Sequence, residues 1–212
     1  MNAVFKEAFK QAFALIHQNL KLYLVLNILY YGLIAAAMAY VFAYPQVQQE
    51  LMAATMTEAS QEIPGVFNAY VSGNFAVAVI GTFLVNLTLG TLVWITLPSL
   101  LVPFGGVALG GIRALLWGLL FAPTTPMMAE RMTYASLVLV FKGQAYVLAM
   151  LAAFIHWRGI IWPANVGETK RLRAYFAGLK KTLRLYLLII VILALIAVYE
   201  AYIVIFIGGR LI

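Results

Sequence analysis

The chain has 212 residues, of which 65% are hydrophobic and only 10% charged, and its mean hydropathy is +0.97. Soluble domains carry about 25% charged residues, so this composition excludes a water-facing globular surface and predicts a membrane protein. The net charge of +7 does not indicate nucleic acid, because the basic residues gather beside apolar runs. The sequence has no cysteine and no aspartate, which excludes thiolate chemistry and leaves few metal ligands. We expect no metal, no cofactor and no catalytic residue.

Apolar runs of about 20 residues recur along the chain, which is the length that crosses a bilayer as an α-helix. None of them shows the ~10-residue alternation of a barrel strand. We therefore predict an all-α polytopic membrane protein: a single transmembrane domain over residues 1–212, with about five transmembrane helices and short amphipathic interfacial helices. The predicted spans are, in chain order, about residues 22–42, 74–97, 104–122, 133–156 and 185–207.

The segments between these runs are more polar. Residues 3–18 place apolar side chains at helical spacing, which predicts either a helix in the inner interface or an ordinary packing helix. Residues 45–73 carry three glutamates and no Lys or Arg, and they predict a short amphipathic helix that Pro64 and Gly65 interrupt. The apolar connection between Pro98 and Pro103 is either re-entrant or a tight turn.

The distribution of charge predicts an orientation, because Lys and Arg near a span tend to stay cytoplasmic. The N-terminal lysines and the basic loop 157–184 fall on one side of a five-span topology, and the acidic segment 45–73 falls on the other. These segments agree on one arrangement. We predict a multi-pass protein with a cytoplasmic N-terminus and a C-terminus outside.

Small residues recur every four positions in the third and fourth predicted spans. This spacing leaves a flat helix face that a second helix can approach closely. We expect these spans either to pack on each other or to form a homodimer seam, which makes a homo-oligomer, with a dimer favoured, a candidate assembly. The predicted helix-packing residues are Gly106, Gly110, Ala114, Gly118, Ala145, Ala149 and Ala153.

Three charged side chains lie inside predicted spans, where a charge costs at least ~2.5–3.5 kcal/mol on insertion scales. With the predicted orientation, Arg113, Lys142 and Glu200 all lie roughly 10–14 Å below the outer boundary. Their common depth predicts one interior cluster. It is either a structural ion pair of Glu200 with one cation, which we favour, or a polar cavity whose spare cation binds an anionic substrate or head group. The supporting polar residues are Asn86, Gln144 and Tyr146, with Tyr199, Thr88 and Thr91 as further candidates.

The basic loop 157–184 carries an apolar stripe with Lys and Arg on its flanks. Such a stripe predicts binding to the anionic inner leaflet, and docking of a cytoplasmic partner is the alternative. His156, at the start of this segment, is expected to belong to the interfacial belt rather than to be a ligand. The predicted docking residues are Lys170, Arg171, Arg173, Lys180, Lys181 and Arg184.

The order of several short motifs resembles the stage II sporulation protein M family of prokaryotic membrane proteins. The motifs are Phe83-Leu-Val-Asn86-Leu-Thr-Leu-Gly90 and Gly105-Gly106-Val-Ala-Leu-Gly110, followed by Gly143 and Glu200, within roughly residues 10–207. The resemblance implies a plasma (inner) membrane protein of about five spans without catalysis of its own. In that family such a protein anchors and organises peptidoglycan-degrading partners.

These observations predict a non-enzymatic integral membrane scaffold or anchor that organises a partner complex at the plasma membrane. The alternative is a permease or transporter subunit with a separate ATPase docking on the basic loop 157–184, since the chain has no nucleotide-binding glycine loop. An intramembrane enzyme is disfavoured, because the spans contain no Ser–His or paired-Asp arrangement. The expected partners are the lipid bilayer, a second copy of the chain, and a cell-wall hydrolase or a cytoplasmic ATPase, but no nucleic acid.

Overall fold

All regular structure in the part of the chain that the computed structural model describes, residues 3–207, is helical. Two stretches adopt π-helical geometry, with hydrogen bonds to the fifth residue along: Asn86–Thr96 joins α5 to α6, and Ile203–Ile207 extends α9. A short 3₁₀ turn, Pro163–Val166, precedes α9. The helices are α1 Ala3–Gln18, α2 Leu20–Ala43, α3 Pro45–Glu62, α4 Pro64–Val71, α5 Phe75–Val85, α6 Leu97–Leu101, α7 Gly105–Phe121, α8 Pro126–Ile161 and α9 Arg171–Tyr202.

Four of the described helical stretches are long and apolar enough to cross a membrane: Leu20–Ala43, Phe75–Leu101, Pro126–Ile161 and Arg171–Ile207. Helix α7 is also apolar but has only 17 residues. These helices confirm the predicted all-α polytopic membrane fold. The last one differs from the prediction in length, since the basic residues 171–184 are not a loop but the first turns of the same unbroken helix.

Local sequence signals account for where several helices begin. The Thr125 side chain accepts a hydrogen bond from the Met128 amide at 3.2 Å, and proline follows it at the first turn of α8, where its missing N–H costs nothing. Asn74 caps α5 in the same way, accepting from the Val77 amide at 3.3 Å. Pro64 interrupts the acidic segment as predicted, and it does so by starting a second helix, α4.

The connection between α6 and α7 is a tight turn. Its last residue, Phe104, has a left-handed backbone with a φ of 56°, which is unfavourable for a side chain with a Cβ. The Phe104 ring packs against the Phe154 ring of α8, with their centroids 5.0 Å apart. This aromatic contact helps to hold the turn against the body of the protein.

Helix α8 is the centre of the bundle. In its most apolar stretch 78% of the residues are buried, against 28% for α2 and 39% for the helix that begins at Arg171. The helices α2, α7 and α9 and the π-helical segment all pack around it. A central helix needs small or apolar side chains on every face, and residues 145–153 have an unbroken run of them.

Contacts at the two ends of the bundle show that long helices which follow one another in the chain run in opposite directions. At one end the Trp157 indole donates to the carbonyl of Ser99, and Arg158 Nη2 donates to Asn19 Oδ1 at 2.7 Å. We call this the basic end, because the segments joined to it, residues 6–21 and 158–184, carry ten Lys and Arg and two Glu.

At the opposite end, Gln48 of α3 is buried and its Nε2 donates to the carbonyl of Ala122 at 2.8 Å, just after α7. Thr124 donates to Gln48 Oε1 at 2.6 Å, so α3 is tied to the end of α7. We call this the acidic end, since the segments joined to it, residues 44–74 and 122–134, carry four Glu and one Arg. The bundle is therefore polarised in charge along its helix axes.

Candidate functional site

The antiparallel packing of α8 on α9 brings two of the predicted interior charges into direct contact. Lys142 Nζ and Glu200 Oε2 are 2.5 Å apart. The lysine side chain is 5% exposed and the glutamate side chain 22%, so the pair lies largely inside the protein. The Lys142 ammonium also faces the ring of Trp117 of α7, 5.3 Å from its centroid. The charge of Lys142 is thus compensated by one carboxylate and one aromatic face.

Arg113, the third predicted charge, is stabilised by an aromatic side chain. Its guanidinium carbon lies 4.7 Å from the centroid of the Tyr146 ring, and its Nη2 donates to the Tyr146 hydroxyl at 3.2 Å. No carboxylate among residues 3–207 lies within ion-pair distance of Arg113. Its Nε is buried and has no hydrogen-bond partner in the same part of the chain. Arg113 is therefore a cation held by a ring and a phenol rather than by an acid.

Tyr146 connects this cation to the π-helical segment. The Tyr146 hydroxyl donates to Asn86 Oδ1 at 3.0 Å, and Asn86 Nδ2 donates to the carbonyl of Thr82 at 2.8 Å. The Thr82 hydroxyl is 2.6 Å from the hydroxyl of Tyr70 on α4. A continuous line of polar contacts consequently leads from Arg113 on α7 through α8 and α5 to α4.

Gly90 makes room for this arrangement. A Cβ at Gly90 would lie 3.2 Å from the Tyr146 hydroxyl and 3.5 Å from Arg113 Nη2. The absence of a side chain thus lets the phenol and the guanidinium pack against the backbone of the π-helix. π-Helical geometry within α-helices is frequent at functional sites, and here it coincides with the charge cluster.

Several members of this cluster were not predicted from the sequence: Trp117, Gly90, Thr82 and Tyr70. Trp117 had a usable signal, because it follows Arg113 by four residues and therefore lies on the same face of α7. Gly90 belongs to one of the motifs that carry the family resemblance. Tyr70 gave no signal, since its helix lies outside the predicted spans.

Gln144, predicted as a supporting residue, lies on another side of α8. It accepts a hydrogen bond from the Tyr23 hydroxyl at 2.5 Å, and its Nε2 donates to Asn27 Oδ1 at 2.7 Å and to the Tyr31 hydroxyl at 2.9 Å. Gln144 thus fastens α8 to α2 instead of joining the charges. The other candidates bond to backbone carbonyls: Tyr199 to Tyr134, Thr88 to Leu84 and Thr91 to Leu87.

The small residues of α7 are covered by helices of the same chain. Gly106 lies against Ser99 and Ala153, and Gly110 lies against Met150 of α8. Gly118 lies against the backbone of α2 at Ile34. Packing of the third predicted span on the fourth therefore covers part of this row of small residues, and packing on α2 covers the rest. The buried members are Gly106, Gly110, Ala114, Gly118, Ala145, Ala149 and Ala153, which leaves none of them for a homodimer seam.

The predicted docking residues lie in the first four turns of α9, except for Lys170, which immediately precedes the helix. Lys170, Arg171, Arg173 and Lys180 are exposed, whereas Lys181 and Arg184 are half-buried. The apolar stripe beside them is open, with Leu172, Phe176 and Leu183 at 69%, 60% and 62% exposure.

His156 is not the belt residue that the sequence predicted. Its side chain is buried between α8 and α9, where its ring meets the Tyr175 ring edge-on at 4.6 Å between centroids and packs against the backbone of Gly178. Gly178 is required here, because a Cβ would lie 2.7 Å from His156 Nδ1. His156 therefore acts in packing α8 against α9.

Two clefts on the surface of the bundle do not reach the charges. Two clefts of about 280 and 490 Å³ lie between α2 and α7 and are lined by aliphatic and aromatic side chains such as Leu33, Tyr40 and Leu115. Neither is lined by Arg113, Lys142 or Glu200. Among the described residues, no three His, Cys, Asp or Glu side chains come together as a metal site.

No protein-family model, no curated protein and no solved structure matches this chain. The likeness to the stage II sporulation protein M family rests on the short motifs described above.

Proposed function

We propose that the protein is a non-enzymatic integral membrane scaffold or anchor, similar in role to the stage II sporulation protein M family. The observation that carries the proposal is that the charge cluster finds its contacts within the bundle. Glu200 compensates Lys142 at 2.5 Å, the rings of Trp117 and Tyr146 face the two cations, and the two clefts between α2 and α7 are apolar and do not reach them. A transport path needs a polar cavity leading to its charged groups, whereas a packed bundle is suited to holding partners at a membrane.

The polarity of the bundle supports a location and an orientation. Ten Lys and Arg at the basic end favour its placement on the cytoplasmic side, with the acidic end outside. Helix α7 is roughly 26 Å long at 1.5 Å per residue, close to the hydrocarbon thickness of about 30 Å, so it completes a set of five crossings. The N-terminus is then cytoplasmic and the C-terminus outside, in a prokaryotic plasma membrane.

The start of α9 is the proposed docking surface for a partner. The helix and its π-helical extension have 37 residues and a length of roughly 55 Å, which exceeds the hydrocarbon core. Its first turns therefore project from the basic end and carry Leu172, Phe176 and Leu183 into the interface or beyond it. Exposed apolar side chains rimmed by cations are typical of a surface that another protein covers.

Purification of the tagged protein from its native membrane, after cross-linking, tests the proposal. We expect a defined partner that the variant Leu172→Ser/Phe176→Ser/Leu183→Ser loses at least about tenfold, as expected when a central apolar patch is removed. The matched control Leu172→Met/Phe176→Leu/Leu183→Met keeps the patch apolar and should retain the partner. A cell-wall hydrolase among the cross-linked proteins supports the scaffold, and retention of every partner by the serine variant contradicts this surface.

A permease subunit is the second candidate, and Arg113 is the observation that favours it. A cation inside a span without a carboxylate at ion-pair distance is suited to receiving an anionic substrate. The partner would then be an ATPase docked at the basic end. Arg113→Gln should abolish uptake in reconstituted vesicles while leaving the ATPase bound. Absence of an ATPase from the cross-linked proteins, together with unchanged vesicle contents, rejects this candidate.

A further inference from the structure

Three basic residues from two helices lie at the basic end, near enough for Lys181 to feel the other two charges: Arg158 of α8, and Lys181 and Arg184 of α9. Lys181 and Arg184 are three residues apart, which places them on one face of α9. Arg158 and Arg184 both act electrostatically on Lys181. All three side chains are half-buried, in contrast to the exposed basic residues nearer the start of α9. We call these three residues the three-cation cluster.

The packing of α8 on α9 builds this cluster. His156 of α8 lies against Gly178 of α9. Arg158 follows His156 by two residues, and Lys181 follows Gly178 by three. This contact therefore sets the relative position of the backbones that carry the two cations. The guanidinium of Arg158 is held in place as well as the backbone of that residue. Arg158 Nη2 donates to Asn19 Oδ1 at 2.7 Å, at the junction of α1 and α2.

Asn19 is itself held in place. It is largely buried, and its Nδ2 donates to the carbonyl of Leu15 at 2.8 Å. This bond fixes the amide so that its oxygen faces Arg158. The cluster therefore lies where α1, α8 and α9 meet, and its geometry does not depend on mobile side chains alone.

The cluster lacks a counter-charge within the described chain. No carboxylate of residues 3–207 lies within ion-pair distance of Arg158, Lys181 or Arg184. Three like charges held together in a partly buried position repel one another, which costs free energy unless an anion lies between them. A guanidinium is well suited to that anion when it is a phosphate, because it can present two parallel N–H donors.

The depth of the cluster indicates where this anion comes from. Trp157, next to Arg158, donates its indole N–H to a backbone carbonyl at the end of the helix that begins at Phe75. Tryptophan in such a position is typical of the head-group layer. Basic pockets between transmembrane helices at this level bind the head groups of anionic lipids. We propose that the three-cation cluster binds the phosphate of an anionic phospholipid of the inner leaflet.

The site is separate from the proposed partner surface. At 100° per residue, Lys181 lies roughly opposite the stripe of Leu172, Phe176 and Leu183 on α9. A lipid at the cluster and a protein on the stripe can therefore bind together. The lipid site goes beyond the scaffold proposal and shares with it only the orientation that places the basic end on the cytoplasmic side.

Lipid retention by the purified protein tests the site. The protein is placed in nanodiscs of equal phosphatidylglycerol and phosphatidylcholine, and the lipids that stay bound after release into detergent are counted by native mass spectrometry. We expect the wild-type protein to retain phosphatidylglycerol preferentially. Arg158→Gln/Lys181→Gln/Arg184→Gln should lower that preference at least about tenfold, as expected for three surface cations near an anionic lipid.

The matched control is Lys170→Gln/Arg171→Gln/Arg173→Gln, which removes the same number of charges from exposed positions at and just before the start of α9. Its preference should fall less than about twofold. An equal loss in the two variants overturns the proposal, because it would reflect net charge rather than a site.

Two further arms keep the test decisive. If the glutamine variant does not fold, Arg158→Lys/Arg184→Lys keeps all three charges and should lose less of the preference than Arg184→Gln alone, although it gives up the parallel N–H donors of the two guanidinium groups. A loss in the charge-keeping variant equal to that in Arg184→Gln overturns the proposal. In the second arm, inorganic phosphate is added to protein in the mixed phosphatidylglycerol and phosphatidylcholine discs. If phosphate displaces bound phosphatidylglycerol at millimolar concentration, the site belongs to a soluble anion and the lipid proposal is overturned.

Discussion

Lys142 and Glu200 form an ion pair of 2.5 Å across the interface of α8 and α9, the most extensive helix contact in the bundle. Trp117 faces the ammonium from the other side, so water is largely displaced around the lysine. A pair in such surroundings contributes little net stability, because the desolvation of both ions offsets their attraction. It matters most when one partner is removed and a buried charge is left alone.

Glu200→Gln should therefore destabilise the protein by about 3 kcal/mol, since it leaves the Lys142 ammonium without a counter-charge. Replacing both partners, Lys142→Met/Glu200→Met, should recover most of that loss, because no charge remains buried. The measurement is the free energy of unfolding by SDS in mixed micelles. A glutamine variant as stable as the wild type would show that the pair is solvated.

Arg113 and Glu200 should be energetically coupled, since they belong to one cluster. Glu200→Gln raises the net positive charge of the cluster, and Arg113→Gln lowers it again. We expect the double variant to be more stable than the sum of the two single losses by about 0.5–3 kcal/mol, measured in a double-mutant cycle in the same micelles. Strict additivity would mean that the two charges do not act on each other.

Gly118→Ala should separate α7 from α2. Its Cβ would overlap the carbonyl of Ile34 and lie 2.6 Å from the Ala37 Cβ, so the helices must shift. We expect a loss of about 1–3 kcal/mol, as for other overpacked positions. Gly32→Ala is the matched control in the same helix pair, because nothing lies within 4 Å of its added Cβ. The prediction fails if both alanine variants unfold at the same SDS concentration.

Tyr146→Phe removes the hydroxyl that joins Arg113 to Asn86. Two polar groups then lose a partner, and we expect a loss of about 1 kcal/mol, in the range of hydrogen bonds within membranes. Tyr40→Phe is the control, since that side chain is exposed on α2. Equal thermal midpoints for the two variants in detergent would show that the Tyr146 hydroxyl does not contribute to stability.

Tyr70 lies outside the spans, and its pKa depends on the charge cluster. Burial raises the pKa of Tyr70 to about 12, and the nearby negative charge of Glu200 adds to the rise. The folded state thus favours the neutral phenol, and the associated stability is present below pH 10 and is lost as the pH rises toward 12. Glu200→Gln should lower the Tyr70 pKa, measured as the tyrosinate absorbance that disappears in a Tyr70→Phe background. An unchanged titration would place Tyr70 beyond the field of Glu200.

Much of the fold was predictable because it depends on local composition. Runs of apolar residues with helical length can satisfy their backbone in lipid only as helices, which made the all-α polytopic fold visible in the sequence. The start of α9 was misjudged as a loop for the same reason. Its basic residues interrupt the apolar run at Arg184, but they do not interrupt the helix, since Lys, Arg and Leu are all good helix formers.

The candidate site, like the fold, was predictable from the sequence only in part. The rarity of charge singled out Arg113, Lys142 and Glu200, and counting residues from the span ends placed them at one depth. Depth does not say which way a side chain faces. Gln144 and Tyr146 occupy nearly the same level of α8, yet they point roughly 200° apart around the helix, one toward α2 and the other toward Arg113. That rotation is decided by how α8 packs against its neighbours.

The sequence by itself determined the class of the protein, the polarity of its ends and the three charges that lipid cannot solvate, because each follows from the cost of placing a residue type in a bilayer. Only the tertiary structure decided which cation Glu200 neutralises, that Arg113 is held by Tyr146, and that Arg158 lies within electrostatic reach of Lys181. Such contacts depend on how the packed helices are rotated relative to one another. That rotation is set jointly by many small residues that lie far apart in the sequence.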